Sequence, residues 1–81
     1  MKKEEKLELA KKIYDNLGLL NYSLNIKRDD DINADYIWIN NMRGPGGLII
    51  GDNGDYLYCQ SAHGYDYYKE KFKKGTRSNK Y

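Results

Sequence analysis

The chain has 81 residues, which is enough for one domain with a modest hydrophobic core and leaves little room for the enclosed pocket that most enzymes need. It is 40% hydrophobic and 32% charged, a balance typical of globular domains, and its apolar runs are far too short to span a membrane. The net charge of +2 hides an acidic middle (residues 29–66, with seven acidic side chains and one basic) between two basic ends.

An amphipathic helix is predicted over residues 3–17. Its apolar residues recur at steps of three and four and so form one stripe: Leu7, Ala10, Ile13, Tyr14 and Leu17. Glu4 and Glu5 in the first turn complement the helix dipole. Gly18 follows at the position where a glycine commonly ends a helix.

The hydrophobic period then changes from helical to alternating, which predicts strands. The first predicted strand carries an apolar residue at every second position: Leu20, Tyr22, Leu24 and Ile26. The aspartates at 29–31 end it. A second strand is predicted over residues 35–41 and a third over 48–51, separated by the turn-forming residues 44–47. A fourth strand is predicted from Asp55 to about Ser61.

The dipeptide Asn53-Gly54 lies between the last two strands and is a strong hairpin signal. A two-residue type I′ loop there would pair Ile50 with Leu57 and thereby fix which side chains share a face. One face would be aliphatic and lie under the N-terminal helix, with Leu48, Ile50, Leu57 and Ile39. The other would be aromatic and face away from it, with Tyr36, Trp38, Tyr56 and Tyr58.

A second, short helix is predicted over residues 65–74, because Tyr65, Tyr68 and Phe72 recur at helical spacing and Gly75 follows. The expected fold is therefore α+β: an N-terminal helix, a four-stranded antiparallel meander sheet and a short C-terminal helix. Both helices are expected on one face of the sheet, as a two-layer α/β sandwich. Residues 1–75 would form a single domain, and residues 76–81 a frayed tail.

Two patterns resemble ligand-binding motifs but lack an essential part. Asp29, Asp31, Asn33 and Asp35 begin like a calcium loop, yet Ala34 stands where the obligatory glycine belongs and Asn40 where the bidentate glutamate belongs. Arg43 beside the glycine-rich residues 44–47 resembles an anion cradle, yet the lysine and hydroxyl residue of a phosphate-binding loop are absent from the sequence there. An inter-strand loop and a tight turn are the expected readings, and no metal or cofactor is predicted.

The single cysteine, Cys59, bears on both chemistry and location. Cys59 and His63 alone cannot complete a zinc site, and a cysteine facing the core is an inert thiol. No catalytic group is therefore predicted, and an enzyme is not expected. One cysteine cannot form an intrachain disulfide, and the charged start lacks the apolar segment of a secretory signal, so a cytoplasmic location is expected.

The predicted aromatic face is the main functional candidate. Exposed aromatic patches on small domains usually mark binding sites, and Tyr and Trp dominate interface hot spots. Tyr36, Trp38, Tyr56 and Tyr58 are predicted as anchors for a protein partner, although packing under a second layer is the alternative. Asp52 and Asp55, beside the hairpin turn, would steer a basic partner. This surface is similar in its chemistry to inhibitors and immunity proteins that mask basic toxins such as nucleases.

Two further hypotheses use other surfaces. The basic C-terminal region could instead contact nucleic acid, through Lys69, Lys71, Lys73, Lys74 and Arg77. The acidic rim of the sheet would repel phosphates, so such a contact would involve the helix and not the sheet. Homodimerisation through the open face of the sheet is the third hypothesis.

Overall fold

The computed structural model describes residues 1–18, 22–39, 46–59 and 64–78. Helix α1 (Lys3–Asn16) precedes a sheet of four strands, and helix α2 (Gly64–Lys73) follows it. The strands are β1 (Leu24–Asp29), β2 (Ala34–Ile39), β3 (Leu48–Gly51) and β4 (Tyr56–Tyr58), and each pairs antiparallel with the next in the order β1-β2-β3-β4. The predicted α+β class and order of elements are confirmed. No helix in the described part of the chain is long and apolar enough to cross a membrane.

Helix α1 begins and ends where the sequence predicts, within one residue. The Glu5 carboxylate accepts a hydrogen bond from the Lys2 N–H (2.9 Å), which satisfies one of the free amides at the helix start. Gly18 adopts a φ of +83° just after the last turn. The buried stripe of the helix consists of Lys6, Ala10 and Tyr14, so a lysine occupies a position that the apolar pattern did not include.

Strand β1 begins at Leu24, later than the predicted Leu20. Tyr22 lies outside the strand, and its hydroxyl donates to a carboxylate oxygen of Asp15 in α1 (2.7 Å). Its ring also meets the Tyr14 ring edge-on, with centroids 5.9 Å apart. Tyr22 therefore packs back onto the helix and does not extend the sheet.

The β3–β4 loop has three residues, not the predicted two. Gly51 donates to the Asp55 carbonyl (2.8 Å), and Gly54 donates to the Gly51 carbonyl (3.0 Å). Of the loop residues only Gly54 has a positive φ, at +91°. This is a type I turn followed by a left-handed glycine, whereas the type I′ turn would require positive φ at Asn53 as well.

The loop glycine gives a direct test of the turn type. Gly54→Ala is expected to lower the free energy of unfolding by about 1 kcal/mol, because alanine resists positive φ. Asn53→Ala should cost less than about 0.5 kcal/mol, since its backbone is in an ordinary conformation. Denaturant unfolding measures both variants. Large and equal losses at the two positions would contradict the three-residue loop.

The extra loop residue shifts the register of β4 and exchanges its two faces. Ile49 pairs with Leu57, while Leu48 and Ile50 pair with Tyr58 and Tyr56. The prediction that Leu57 lies under α1 is therefore wrong, as is the prediction that both β4 tyrosines face away from it. The expected orientation of β2 and β3 is correct, since Ile39, Leu48 and Ile50 lie on the α1 side.

Two hydrophobic cores lie on opposite faces of the sheet. The first core joins α1 to one face through Ala10, Tyr14, Ile37, Ile39, Leu48 and Ile50. The second core joins α2 to the other face through Ala34, Ile49, Leu57, Cys59, Tyr68 and Phe72. The expectation that both helices cover one face is wrong, because the shifted β4 places Leu57 and Cys59 on the second face, where α2 buries them. The fold has three layers.

Residues 76–78 cover the outer edge of β4. Ser78 donates its N–H to the Tyr56 carbonyl (2.8 Å), and its hydroxyl accepts from the Tyr58 N–H (2.7 Å). The Arg77 guanidinium lies 3.4 Å from the Phe72 ring centroid. Ser78 thereby satisfies two backbone groups at the open edge of β4. Residues 79–81 lie outside the described part of the chain.

Candidate functional site

The structure divides the four predicted aromatic anchors between the two faces of the sheet. Tyr36 and Trp38 lie on the face that carries α2, and both are half-buried. Tyr56 and Tyr58 pack against the first core, on the α1 face. The Tyr58 hydroxyl also accepts a hydrogen bond from the Gly46 N–H (3.2 Å). Tyr36 and Trp38 therefore share one face of the sheet, and Tyr56 and Tyr58 share the other.

Asp52 takes part in an ion-pair network with residues of α1 and β1. It accepts hydrogen bonds from the two terminal guanidinium nitrogens of Arg28 (2.6 and 3.1 Å) and from the Lys6 ammonium (2.7 Å). The Arg28 guanidinium, and after it Lys6, holds the pKa of Asp52 well below its usual range. The carboxylate is thus already compensated by two cations within the domain.

The same network contains a buried lysine–aspartate pair. The Lys6 ammonium lies 2.6 Å from the Asp35 carboxylate, and the two side chains are only 1% and 11% exposed. Arg28 approaches Asp35 from the solvent side, at 3.6 Å. This pair ties α1 to β2, which makes it a structural feature of the first face.

Asp55 holds the C-terminal segment. Its carboxylate pairs with the Arg77 guanidinium, which also donates to the Phe72 carbonyl (2.8 Å). The Asp55 and Arg77 side chains are both less than one-fifth exposed, at 18% and 19%. Asp52 and Asp55, the predicted steering charges, are therefore both placed in internal ion pairs.

An open groove lies on the second face, between α2 and the β1–β2 hairpin; we call it the α2 groove. Its volume is about 550 Å³. It is lined by Lys27, Arg28, Asp29, Asp30, Asp31, Tyr36, Trp38, Tyr65, Asp66 and Lys69. This volume lies within the range of small-ligand and side-chain pockets.

Three aromatic rings form the floor of the groove. Tyr36 stacks on Trp38, with ring centroids 5.3 Å apart and planes inclined by 21°. The Tyr65 ring of α2 contacts the Tyr36 ring, with centroids 4.6 Å apart and planes inclined by 54°. Gly47 permits this arrangement, because a Cβ at that position would overlap the Tyr36 ring. Burial raises the pKa of Tyr36, so the floor is neutral over the physiological range.

Ion pairs and a hydrogen bond at the edge of the groove connect helix α2 to the β1–β2 turn. The Lys69 ammonium lies 3.0 Å from Asp29 and 3.0 Å from Asp31, and the Tyr65 hydroxyl donates to Asp29. The Tyr65 hydrogen bond, with Lys69 contributing further, lowers the pKa of Asp29. Burial, followed by the contact with Asp29, raises the pKa of Tyr65. These contacts fix Tyr65 against Tyr36.

At the rim of the groove, the carboxylates are more exposed to solvent than the cations that pair with them. The Asp30 and Asp31 side chains are 88% and 73% exposed. Their partners Arg28 and Lys69 are 41% and 20% exposed. Asp66, in the first turn of α2, is exposed and has no ion-pair or hydrogen-bond partner among the described residues. The outer rim is therefore acidic, with Lys27 as its one exposed and unpaired cation within the described ranges.

The residues predicted for nucleic-acid contact have different surroundings. Lys69 and Arg77 are held in the ion pairs described above. Lys71 lies 5.4 Å from the centroid of the Tyr67 ring, and Lys73 lies 3.7 Å from Glu70 one turn earlier. Lys74 is exposed. The five cations thus do not form a continuous row of unpaired charge.

The weaker sequence motifs do not form binding sites within the described part of the chain. Asp29 and Asp31 face Lys69 while Asp35 faces Lys6 on the opposite side of the sheet, so they cannot share one calcium ion. No group of three or more His, Cys, Asp or Glu side chains is arranged to hold a metal within residues 1–18, 22–39, 46–59 and 64–78. Cys59 is buried in the second core, where burial raises the pKa of its thiol to about 12. Arg43 and His63 lie outside the described residues.

The chain was compared with protein-family models, with curated proteins and with solved structures, and none of the three comparisons finds a match.

Proposed function

We propose that this domain binds a basic protein partner in the α2 groove, as an inhibitor or immunity-type protein that masks a cationic surface. The observation that carries the proposal is the half-buried aromatic floor of Tyr36, Trp38 and Tyr65 within a rim of exposed carboxylates. A few hot-spot residues, among which Trp and Tyr are enriched, supply most of the binding energy at interfaces, and rim charges steer the encounter. The anchors that we propose are therefore Trp38 and Tyr36, and the steering charges are Asp30, Asp31 and Asp66.

The charges around the groove favour a protein over a nucleic acid. A platform that stacks bases is normally surrounded by lysine and arginine, which neutralise the phosphates. Here the Asp30 and Asp31 carboxylates on the rim are 88% and 73% exposed. Lys69, the α2 cation that lines the groove, is already shared by two carboxylates. A phosphate backbone approaching the groove would meet like charge.

Trp38→Ala is expected to weaken binding of the partner at least about thirtyfold, because a truncated hot-spot aromatic costs about 2 kcal/mol or more. Trp38 is half-buried and stacks on one ring, so the free energy of unfolding should fall by only about 1 to 2 kcal/mol. The partner is captured from a lysate of the native cells with the tagged wild-type protein and identified by mass spectrometry. Its affinity for both proteins is then measured by calorimetry.

Tyr67→Ala is the matched control, since Tyr67 is a 44% exposed aromatic of α2 that does not line the groove. It should leave the affinity unchanged. Equal affinities for wild type and Trp38→Ala would contradict the proposal. A homodimer formed through the groove would appear differently, as a change in the sedimentation coefficient of the pure protein on Trp38→Ala.

A further inference from the structure

The two outer edges of the sheet differ in how they are covered. At the edge formed by β4, Ser78 forms hydrogen bonds with the Tyr56 carbonyl and the Tyr58 N–H. Strand β1 forms the opposite edge and pairs with β2 on its inner side. On its outer side, no backbone within residues 1–18, 22–39, 46–59 and 64–78 pairs with it. Every second residue of an antiparallel edge strand directs its N–H and C=O outward, so β1 offers a row of backbone donors and acceptors.

Strand β1 is also regular enough to accept another strand. It pairs with β2 residue for residue over all six positions, without a bulge, and it contains no proline. Bulges and prolines are two of the devices that prevent an edge from pairing, and a charged side chain is a third. Only the third is present in β1. The chemistry of a partner strand is therefore set by the charges along this edge.

The two faces of β1 call for different side chains on an added strand. Leu24 and Ile26 are partly buried beside the first core, so residues opposite them should be apolar. Lys27 lies on the other face, is exposed and has no ion-pair partner among the described residues, so an acidic residue fits opposite it. At the end of β1 the side chains of Asp30 and Asp31 are 88% and 73% exposed, which favours a basic residue there.

The same charges disfavour a second copy of this chain as the added strand. The two antiparallel registers with the greatest overlap of β1 on itself centre on Ile26 or on Lys27. They would place Lys27 of the two copies diagonally across from each other or directly opposite, and like charges in such positions destabilise pairing.

We propose that the outer edge of β1 receives an extended segment of the protein partner as a fifth, antiparallel strand, with an acidic side chain opposite Lys27. This inference rests on the proposed function, because a strand at this edge lies beside the α2 groove, which Lys27 also lines. Main-chain hydrogen bonds would supply affinity, and the alternating side chains would supply specificity.

Hydrogen exchange of the β1 amides, followed by NMR on the full chain, tests whether the edge is open and can be paired. In the free protein, one alternate set of amides should be protected by β2 and the other should exchange rapidly. The probe is the peptide acetyl-Lys-Thr-Glu-Val-Thr-Val-amide, which should bind with a dissociation constant on the order of 1 mM. At ten times that concentration, exchange of the rapid set should slow about tenfold.

A charge exchange tests the position of the acidic residue. Lys27→Glu should weaken binding of the peptide about fivefold, as expected for an exposed cross-strand charge pair. A second peptide with lysine in place of glutamate should show the reverse preference and bind Lys27→Glu more tightly than wild type. Lys12→Glu makes the same change at an exposed position of α1 and should leave the binding of both peptides unchanged.

Two N-methylated peptides test the backbone pairing itself. Each carries methyl groups on every second amide nitrogen, in one of the two alternate sets. The set that faces β1 should abolish binding, and the set that faces solvent should not, because only one set donates to the edge strand. Equal binding of the two methylated peptides would contradict strand addition.

Three further results would overturn the proposal. These are protection of both sets of β1 amides in the free chain, no saturable shift with the peptide, and a dimer of the pure protein that Lys27→Glu alters. The proposed function is judged separately, by capture of the partner. If capture depends on Trp38 while the peptide does not bind, only the strand addition fails. If the peptide binds while capture is indifferent to Trp38, the proposed function fails.

Discussion

Lys6→Ala is expected to lower the free energy of unfolding by about 3 kcal/mol, because it leaves the buried Asp35 carboxylate without its main cation. The Lys6 side chain is 1% exposed, and its loss also leaves Asp52 with Arg28 as its remaining cation. Arg28 remains 3.6 Å from Asp35 and compensates part of the charge from the solvent side. The loss is measured by urea unfolding at neutral pH.

Lys12→Ala is the control for this prediction, since Lys12 is an exposed lysine of the same helix. It should change the free energy of unfolding by no more than about 0.5 kcal/mol. The double variant Lys6→Met/Asp35→Leu should recover most of the loss, because a buried ion pair can be replaced by apolar side chains of similar volume. A Lys6→Ala variant as stable as Lys12→Ala would contradict the buried pair.

Phe72→Ala is expected to lower the free energy of unfolding by about 3 kcal/mol, because it leaves a cavity in the second core. Phe72 is 5% exposed, packs with Ile49 and Leu57 in that core, and carries the Arg77 guanidinium on its ring. Its removal should also loosen α2, and with it Tyr65, the ring that α2 contributes to the groove. Urea unfolding gives the loss, and hydrogen exchange of the α2 amides reports the loosening.

Tyr67→Ala serves again as the comparison, because Tyr67 belongs to the same helix and is 44% exposed. Its ring packs edge-on against Tyr68, so the loss of stability should stay below about 1.5 kcal/mol, clearly less than that of Phe72→Ala. A similarly small effect of Phe72→Ala would mean that α2 is not docked on the sheet, and the second core and the groove would both be wrong.

The elements themselves could be predicted because each segment has a clear hydrophobic period. The stripe with Ala10 and Tyr14 predicts α1, and the triplet Tyr65, Tyr68 and Phe72 predicts α2. The register of β4 could not be predicted from the same signal. Asn53-Gly54 fits both a two-residue type I′ loop and a three-residue loop with glycine last, and the choice depends on the φ of Asn53. A difference of one residue in the length of the loop moves every side chain of β4 to the opposite face of the sheet.

The layering and the candidate site follow from that register. Leu57 and Cys59 lie on the second face and give α2 an apolar surface to pack against. The groove lies beside α2, near Trp38, where the helix no longer covers the sheet. The buried position of Lys6 was also not predicted, because a lysine is normally expected to be exposed to solvent. Its spacing of four from Ala10 and eight from Tyr14 was the available signal, and a buried lysine also required a carboxylate partner from another element.

The central claim is that α2 lies on the face that carries Tyr36 and Trp38 and so forms the groove with them. The most direct measurement is a proton NOE spectrum of the full chain with assigned aromatic signals. The Tyr36 ring should show strong NOEs to the Tyr65 ring, whose centroid is 4.6 Å away, and to the Trp38 indole at 5.3 Å. NOEs from the Tyr36 ring to Tyr14 of α1, with none to Tyr65, would contradict it.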